Sequence, residues 1–282
     1  DFQGRKIVVE HGELAKQAHG AVLVRYGDTV VLSTAVVSKN ANILSDFFPL
    51  MVDYIEKFYA VGKMPGGFIK RESRPSVEAT LIGRLVDRPL RPLFPEGFYN
   101  DTHVVITTLS YDGINLPETI AATGASLALS ISDIPFNGPV AGVIVGYVNG
   151  EYILNPSKEV LENCDIFLSI AGTKDAITMV EAGAKEVSEE VMLGAIIFGH
   201  DRIKEICAFQ EAFIELVGNK EKFAFEVKEP LAQVKEFVDA AEERIKEAVL
   251  TVGKQAREEA LELIEEKLLE ELYNKSDKIK KM

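Results

Sequence analysis

The chain has 282 residues, a formal net charge of −13 and 47% hydrophobic residues. This length allows one large or two modest domains, and the hydrophobic share is sufficient for a buried core. The acidic balance argues against a general attraction to nucleic acid, so any such binding must be local. Two isolated cysteines, no apolar run of about 18 residues and no signal-peptide pattern predict a cytoplasmic protein.

The first three quarters of the chain mix strand and helix patterns without a strict alternation of the two. Hairpin signals occur at Tyr26-Gly27-Asp28 and at Asn149-Gly150, where glycine allows a tight turn. The pattern predicts an α+β fold. The predicted strands are 5–9, 21–25, 29–37, 50–58, 102–109, 140–148, 152–154, 165–171 and 176–181, and the predicted helices start near 76, 118 and 188.

The character of the sequence changes over residues 218–230, where Asn219 and Pro230 interrupt regular structure. From residue 231 to about 273 the chain is rich in Ala, Glu, Leu and Lys, and strand patterns are lost. We therefore predict two domains, an α+β domain over residues 1–220 and an all-α domain over residues 221–282.

Residues 62–98 form a basic segment in this acidic chain, with seven Lys and Arg residues and fewer acidic ones. It opens with the glycine-rich loop 62–67. A helix is predicted to follow, with Ser76 as its N-cap and Glu78 in its first turn. Pro89 is expected to end that helix, because proline has no backbone N–H and restricts the residue before it.

The arginines of this helix recur at positions that share one face. Arg84, Arg88 and Arg91 are spaced i, i+4 and i+7, while Leu81, Ile82, Leu85 and Val86 fall on another face that should pack inward. A basic face beside a basic loop suits a polyanion, because the guanidinium fork can donate two hydrogen bonds to phosphate. A solvated face whose arginines pair with carboxylates would give the same pattern.

The order of residues in the basic segment is more specific than its charge. Gly66-Gly67-Phe68-Ile69-Lys70-Arg71-Glu72-Ser73-Arg74-Pro75-Ser76 and the Arg-Pro-rich run from Leu81 to Phe98 resemble the bacterial polynucleotide phosphorylase family. The resemblance is to the first of two RNase PH-like cores and extends to about residue 215, with a helical segment behind it. It implies a β-α-β-α core of the ribosomal S5 domain 2-like type, followed by the family's all-α linker domain.

The resemblance implies part of a phosphorolytic 3′→5′ exoribonuclease that degrades single-stranded RNA and releases nucleoside diphosphates. In the family, a loop like residues 68–71 lines the entrance of a central RNA channel, and arginines on the following helix face it. The implied RNA-binding residues are Phe68, Ile69, Lys70, Arg71, Arg74, Arg84, Arg88 and Arg91. Phe68 is expected to stack on a base.

Two departures from the family pattern indicate that this core is not catalytic. Active cores place phosphate donors just before a Thr-Gly-Ala-like helix segment, which corresponds here to residues 123–125. Pro117 and Glu118 stand in the donors' place, and a carboxylate repels phosphate. Of the family's metal-binding carboxylates, Asp165 matches and Glu159 replaces an aspartate. We therefore expect no catalytic residues and no metal site in this chain.

The resemblance also implies an assembly of several chains, and it implies cofactors that bind outside this chain. We expect an N-terminal fragment of a homotrimeric enzyme, with phosphate as co-substrate, Mg²⁺ bound outside this fragment and possible partners in an RNA-degradation complex. An alternative is a free-standing, non-catalytic RNA-binding or scaffold subunit with the same fold. A third, a self-sufficient single-core enzyme, conflicts with Pro117 and Glu118.

Overall fold

The computed structural model describes residues 2, 4–41, 47–67, 71–218, 220–225, 227 and 232–280, without the side chains of 232–233 and 274–280. The chain divides into two compact units, Asp1–Glu226 and Val227–Met282.

A five-stranded sheet opens the first unit. Its order is β1-β2-β3-β5-β4, antiparallel except for the β4–β5 pair. Gly27 has a positive φ of 61° in the two-residue turn between β2 and β3, which confirms the first predicted hairpin. The strands are β1 (Ile7–His11), β2 (Gly20–Tyr26), β3 (Thr29–Ala41), β4 (Leu50–Ile55) and β5 (Asn100–Ser110).

A four-stranded antiparallel sheet follows, in the order β7-β6-β8-β9. Asn149 and Gly150 both have positive φ between β6 and β7, as a type I′ turn requires, so the second predicted hairpin is also confirmed. The strands are β6 (Ala141–Val148), β7 (Glu151–Leu154), β8 (Ile166–Gly172) and β9 (Ile177–Ala184).

Helix α2 (Glu118–Ser130) is the core element that both sheets share. Every residue from Thr119 to Ser130 is buried, because small side chains let the helix approach strands closely. A Cβ atom added to Gly124 would clash with Ser33, and one added to Gly142 of β6 would lie only 3.3 Å from the Ala122 side chain. The Ser126 hydroxyl accepts a hydrogen bond from the Val140 N–H at 2.8 Å. This packing places the start of α2 at the edge of the core.

Helix α1 (Val77–Leu90) packs against β4, and it differs from the prediction in two respects. Leu81 is 52% exposed rather than packed inward, because the buried face is shifted toward Ala79, Gly83 and Leu90. The helix also continues for one residue past Pro89, since a proline in the last turn removes only one hydrogen bond. A 3₁₀ turn, Arg91–Leu93, then leads away from the helix.

The remaining helices complete the two units. Helix α4 packs on β6 and β8 of the first unit, where a Cβ on Gly199 would approach Ile170 at 2.8 Å. The second unit contains helices only among its described residues, and an Arg244–Glu271 pair at 3.7 Å joins two of them. The remaining helices of the first unit are α3 (Lys158–Leu161) and α4 (Glu189–Val217). Those of the second unit are α5 (Ala232–Asp239), α6 (Glu242–Val249) and α7 (Lys254–Lys280).

The mixture of strands and helices in the first unit confirms the predicted α+β class. Across the described ranges, no helix combines the length and apolar character needed to cross a membrane.

Candidate functional site

The start of α1 is fixed by its cap. Ser76 has an extended backbone, and its hydroxyl accepts a hydrogen bond from the Ala79 N–H at 2.9 Å, as an N-cap does. Glu78 lies in the first turn, where a carboxylate interacts favourably with the helix dipole. These observations confirm the predicted cap, and they orient the exposed face of α1 that carries Arg84 and Arg88.

Three of the predicted RNA-binding arginines are exposed and form no ion pair within the described ranges. Arg71, Arg74 and Arg84 have no hydrogen-bond or ion-pair partner among the described residues, and the same holds for Lys63. These side chains are therefore available to an external anion.

Arg88 pairs with Glu181 of β9 at 2.9 Å, and the two side chains are 50% and 53% exposed. An exposed ion pair of this kind contributes about 0–1 kcal/mol. A phosphate could therefore replace Glu181 at little cost.

Arg91 has a different environment from the other arginines. Its guanidinium donates to both carboxylate oxygens of Asp87 and to the backbone carbonyls of Phe48 and Leu50, at 2.8–3.2 Å. It also lies 5.9 Å from the centre of the Phe48 ring. Arg91 thus connects the end of α1 to the start of β4 and to Phe48 just before it, and these contacts favour a structural role.

The predicted channel-loop residues Phe68, Ile69 and Lys70 lie outside the described residues. Their RNA-binding role stays a prediction.

Glu72, which precedes α1, has a role that the sequence did not indicate. Its φ is 47°, and its carboxylate accepts a hydrogen bond from the Phe58 N–H at 2.8 Å while lying 3.8 Å from the Lys57 ammonium. Glu72 therefore connects the basic loop to the 3₁₀ turn Phe58–Val61. The only sign of this role in the sequence is that Glu72 is a single carboxylate within a run of basic residues.

The position expected for phosphate donors is acidic in the structure. Pro117 directly precedes α2, and burial raises the pKa of Glu118 in its first turn. The carboxylates of Glu56 and Glu78 raise that pKa further, while the Glu118 backbone N–H and Lys158 lower it. The Glu118 side chain therefore occupies the helix end that would otherwise attract an anion.

The two carboxylates compared with the family's metal ligands have different surroundings. Asp165 lies 4.0 Å from the ammonium of Lys185, and Glu159 is in the first turn of the short helix α3. Within the described ranges, no group of three or more His, Cys, Asp or Glu residues is placed to hold a metal ion.

Comparison with family models places the first unit in a known family. Residues 3–135 match domain 1 of the 3′ exoribonuclease family, and residues 138–202 match domain 2. The two matches together span most of the chain.

The chain is also similar to longer curated proteins. It is 57% identical over 268 residues to a polyribonucleotide nucleotidyltransferase of Enterococcus faecalis, covering 95% of this chain and 38% of that protein. It is 54% identical over 278 residues to the protein of the same name from Halalkalibacterium halodurans, covering 98% and 39%. The chain thus spans well under half the length of these relatives.

Solved structures show the same fold at low identity. A chain of the Archaeoglobus fulgidus exosome with RNA bound to the active site has a TM-score of 0.56 and 20% identity, covering 74% of this chain and 88% of that chain. Rice (Oryza sativa) Rrp46 has a TM-score of 0.56 and 18% identity, covering 74% and 95%. The fold, the two family matches and the identity to the longer relatives lead to one conclusion: the chain belongs to the 3′ exoribonuclease family, with an RNase PH-like core.

Proposed function

We propose that this chain is the N-terminal part of a phosphorolytic 3′→5′ exoribonuclease that degrades single-stranded RNA. The observation that carries the proposal is the 57% identity over 268 residues to a polyribonucleotide nucleotidyltransferase. In that reaction a phosphate oxygen attacks the phosphorus of the 3′-terminal linkage. The bond to the preceding 3′ oxygen breaks, that oxygen takes up a proton, and a nucleoside diphosphate leaves.

In this proposal the chain holds the RNA backbone, and catalysis takes place elsewhere in the longer protein. Arg71, Arg74 and Arg84 are exposed and have no carboxylate partner in the part of the chain that the structure describes. Arg88 pairs only with the exposed Glu181. Guanidinium groups bind phosphate oxygens irrespective of base, so we expect contacts that position RNA without reading its sequence. Phe68, Ile69 and Lys70 would line the same channel entrance.

The environment of Glu118 supports a non-catalytic role for this core. Phosphate would have to approach a half-buried carboxylate with two further carboxylates nearby. The co-substrate phosphate and the Mg²⁺ ion that would offset negative charge at the reacting centre therefore belong, in this proposal, to another part of the enzyme.

The proposal extends to location, assembly and domain organisation. We propose a cytoplasmic homotrimer, because three copies of the basic surface around an axis would form a positively charged aperture. Residues 1–220 would form the core and residues 221–282 the linker domain. Light scattering on the full-length protein tests the assembly, and a stable monomer at micromolar concentration would contradict it.

The alternative of a free-standing scaffold subunit receives less support. The relatives that match nearly all of this chain at 54–57% identity carry the name of an enzyme.

Salt-dependent RNA binding tests the function proposed for the chain itself. Fluorescence anisotropy with a labelled 20-nucleotide oligo(A) should show affinity that falls with salt. Changing Arg71 and Arg74 together to Gln should weaken binding and flatten the slope of log K against log salt by about 1.4, since each phosphate contact on a single strand contributes about 0.7.

The matched control changes Arg202 and Lys204 to Gln on α4, where both cations pair with neighbouring carboxylates. It should leave affinity and slope unchanged. Equal binding by the Arg71/Arg74 variant and the unchanged chain would refute the proposed role.

A further inference from the structure

The 3₁₀ turn Phe58–Val61 is a rigid feature that presents aromatic rings to solvent. Phe58 is 39% exposed and Tyr59 is 54% exposed. Neither ring contacts another aromatic ring or forms a side-chain hydrogen bond within the described part of the chain. Large exposed aromatic side chains are costly in water and often mark binding surfaces.

The backbone of this turn is held from several directions. Ala60 is buried, and its carbonyl accepts a hydrogen bond from the Tyr111 N–H at 2.9 Å just after β5. The N–H groups of Gly62 and Lys63 donate to the Tyr59 and Phe58 carbonyls, each at 3.0 Å. Gly62 has a φ of 68°, which ends the turn without strain. Tyr59 therefore extends from a fixed backbone, and holding its ring against a ligand costs little conformational entropy.

Glu72 connects the turn to the basic loop, and this connection brings the cations of the loop close to the turn. The Glu72 carboxylate accepts from the Phe58 N–H and lies near the Lys57 ammonium, so its own charge is balanced locally. Arg71 is the adjacent residue, Lys63 follows the turn, and both are exposed with no partner among the described residues. An exposed ring therefore lies in a neighbourhood of unpaired positive charge.

This combination fits one class of ligand better than others. Proteins that bind single-stranded nucleic acid combine cations along the backbone with aromatic rings on which bases stack. A protein partner would need its own carboxylates to match the free cations, whereas RNA supplies a phosphate with every base.

We propose that Tyr59 is a stacking platform for a base of single-stranded RNA, next to the phosphate contacts of Arg71. The inference rests on the proposed function, because it places a base at the same basic surface. It adds an aromatic contact on a fixed turn, separate from the loop that carries Phe68.

Substitutions at Tyr59 test the stacking in the full chain. Tyr59→Leu keeps an apolar side chain but removes the π-face, so binding of oligo(A) should weaken roughly 5- to 150-fold. The slope of log K against log salt should not change, because no phosphate contact is lost. Tyr59→Phe should bind like the unchanged chain. Tyr273→Leu is the matched control, since Tyr273 is 72% exposed in the second unit, and it should have no effect.

A spectroscopic readout is available because the chain contains no tryptophan. Tyr59→Trp introduces a single tryptophan, and stacking on adenine should quench its fluorescence as oligo(A) is added. Tyr273→Trp should not be quenched. This measurement reports the contact directly, and it does not depend on the size of an affinity change.

The outcomes separate this inference from the proposed function. Suppose that Arg71/Arg74→Gln weakens RNA binding, that Tyr59→Leu leaves it unchanged, and that the fluorescence of Tyr59→Trp is not quenched. The stacking inference is then wrong, and the proposed function stands. If Tyr59→Leu changes the mass measured by light scattering but not RNA affinity, the ring belongs to a protein interface and the inference is again wrong. An unchanged chain with no measurable affinity for oligo(A) would overturn both.

Discussion

At the scale of single residues, the arginines of the basic segment differ by their partners. Arg84 has none among the described residues, Arg88 shares an exposed pair with Glu181, and Arg91 is surrounded by acceptors. Because a guanidinium that already donates to a carboxylate and two carbonyls has few donors left for phosphate, these side chains should respond differently to substitution.

Arg84→Gln and Arg91→Gln should therefore separate binding from stability. Arg84→Gln is expected to flatten the salt slope of oligo(A) binding by about 0.7 and to change the free energy of unfolding by less than about 0.5 kcal/mol. Arg91→Gln should cost about 1–3 kcal/mol of stability, because the Phe48 and Leu50 carbonyls and Asp87 lose their donor.

Urea unfolding and anisotropy on both variants measure the two effects. Arg202→Gln, which removes a surface pair with Glu205, is the control for stability and for binding. If Arg91→Gln leaves stability intact and flattens the salt slope, Arg91 belongs to the RNA-binding surface as the sequence predicted.

Glu118 gives a prediction about pH. Burial raises its pKa in the folded protein above the ordinary value of 4.5. As pH rises from 4.5, the unfolded state loses this proton first, so the stability of the fold decreases. The decrease is complete once pH exceeds the folded-state pKa, and it persists at higher pH. Glu118→Gln should therefore raise the unfolding midpoint at pH 7 and give no gain near about pH 3.5, where both states are protonated.

Thermal unfolding at the two pH values measures this difference. Glu13→Gln, at an exposed turn, is the control for the removal of one carboxylate. A Glu118→Gln variant that is less stable than the unchanged protein at pH 7 would show that the ionised carboxylate stabilises the start of α2.

At the scale of elements, residues 220–225 act as a strap across the end of α2. The Lys222 ammonium donates to the carbonyls of Ser130 and Ser132 at 2.9 and 2.7 Å, and the Phe223 N–H donates to the Asp133 carbonyl at 2.6 Å. The Phe225 ring packs edge-on against Phe98 at 5.3 Å. A cation near the negative end of a helix dipole is favourable, although burial lowers the pKa of Lys222.

Lys222→Met should destabilise the first unit by about 1–3 kcal/mol. The methionine fills similar space but leaves two carbonyls at the end of α2 without a donor, and unsatisfied buried groups are costly. Urea unfolding followed by circular dichroism measures the change. Lys220→Met removes only an exposed contact to the His19 carbonyl and should cost less than about 0.5 kcal/mol. Equal stability of the two variants would show that the strap contributes little.

At the scale of the whole molecule, the chain combines a net charge of −13 with the basic segment at residues 62–98. In the proposed enzyme this segment guides RNA, and the reaction takes place in a part of the protein that this chain does not supply. The acidic environment of Glu118 and the Lys185 ammonium beside Asp165 both oppose a phosphate-and-metal site here.

We therefore expect this 282-residue chain to release no nucleoside diphosphate from poly(A) in the presence of phosphate and Mg²⁺. Catalysis needs donors aimed at phosphate and a metal to offset the crowded negative charge. Chromatography of the reaction products measures the release, and a full-length relative serves as the positive control. Phosphate-dependent turnover that is lost in Asp165→Asn would show that this core is catalytic.

The sequence alone determined the features that depend on neighbouring residues. The two hairpins, the Ser76 cap and the α+β class were predicted correctly, because turn glycines, capping hydroxyls and strand periodicity act over a few positions. The family was also correctly predicted, from a run of residues whose order is specific.

Only the tertiary structure decided which residues meet across the chain. Arg91 contacts a carbonyl 43 positions away, Lys222 one 92 positions away, and the Glu72 carboxylate fixes a turn 14 positions before it. Leu81 was predicted wrongly for a related reason, since helical periodicity marks an apolar face but the neighbouring strand sets which part of it is covered. Spacing encodes local geometry, whereas partners at these separations are set by how the sheets and helices pack.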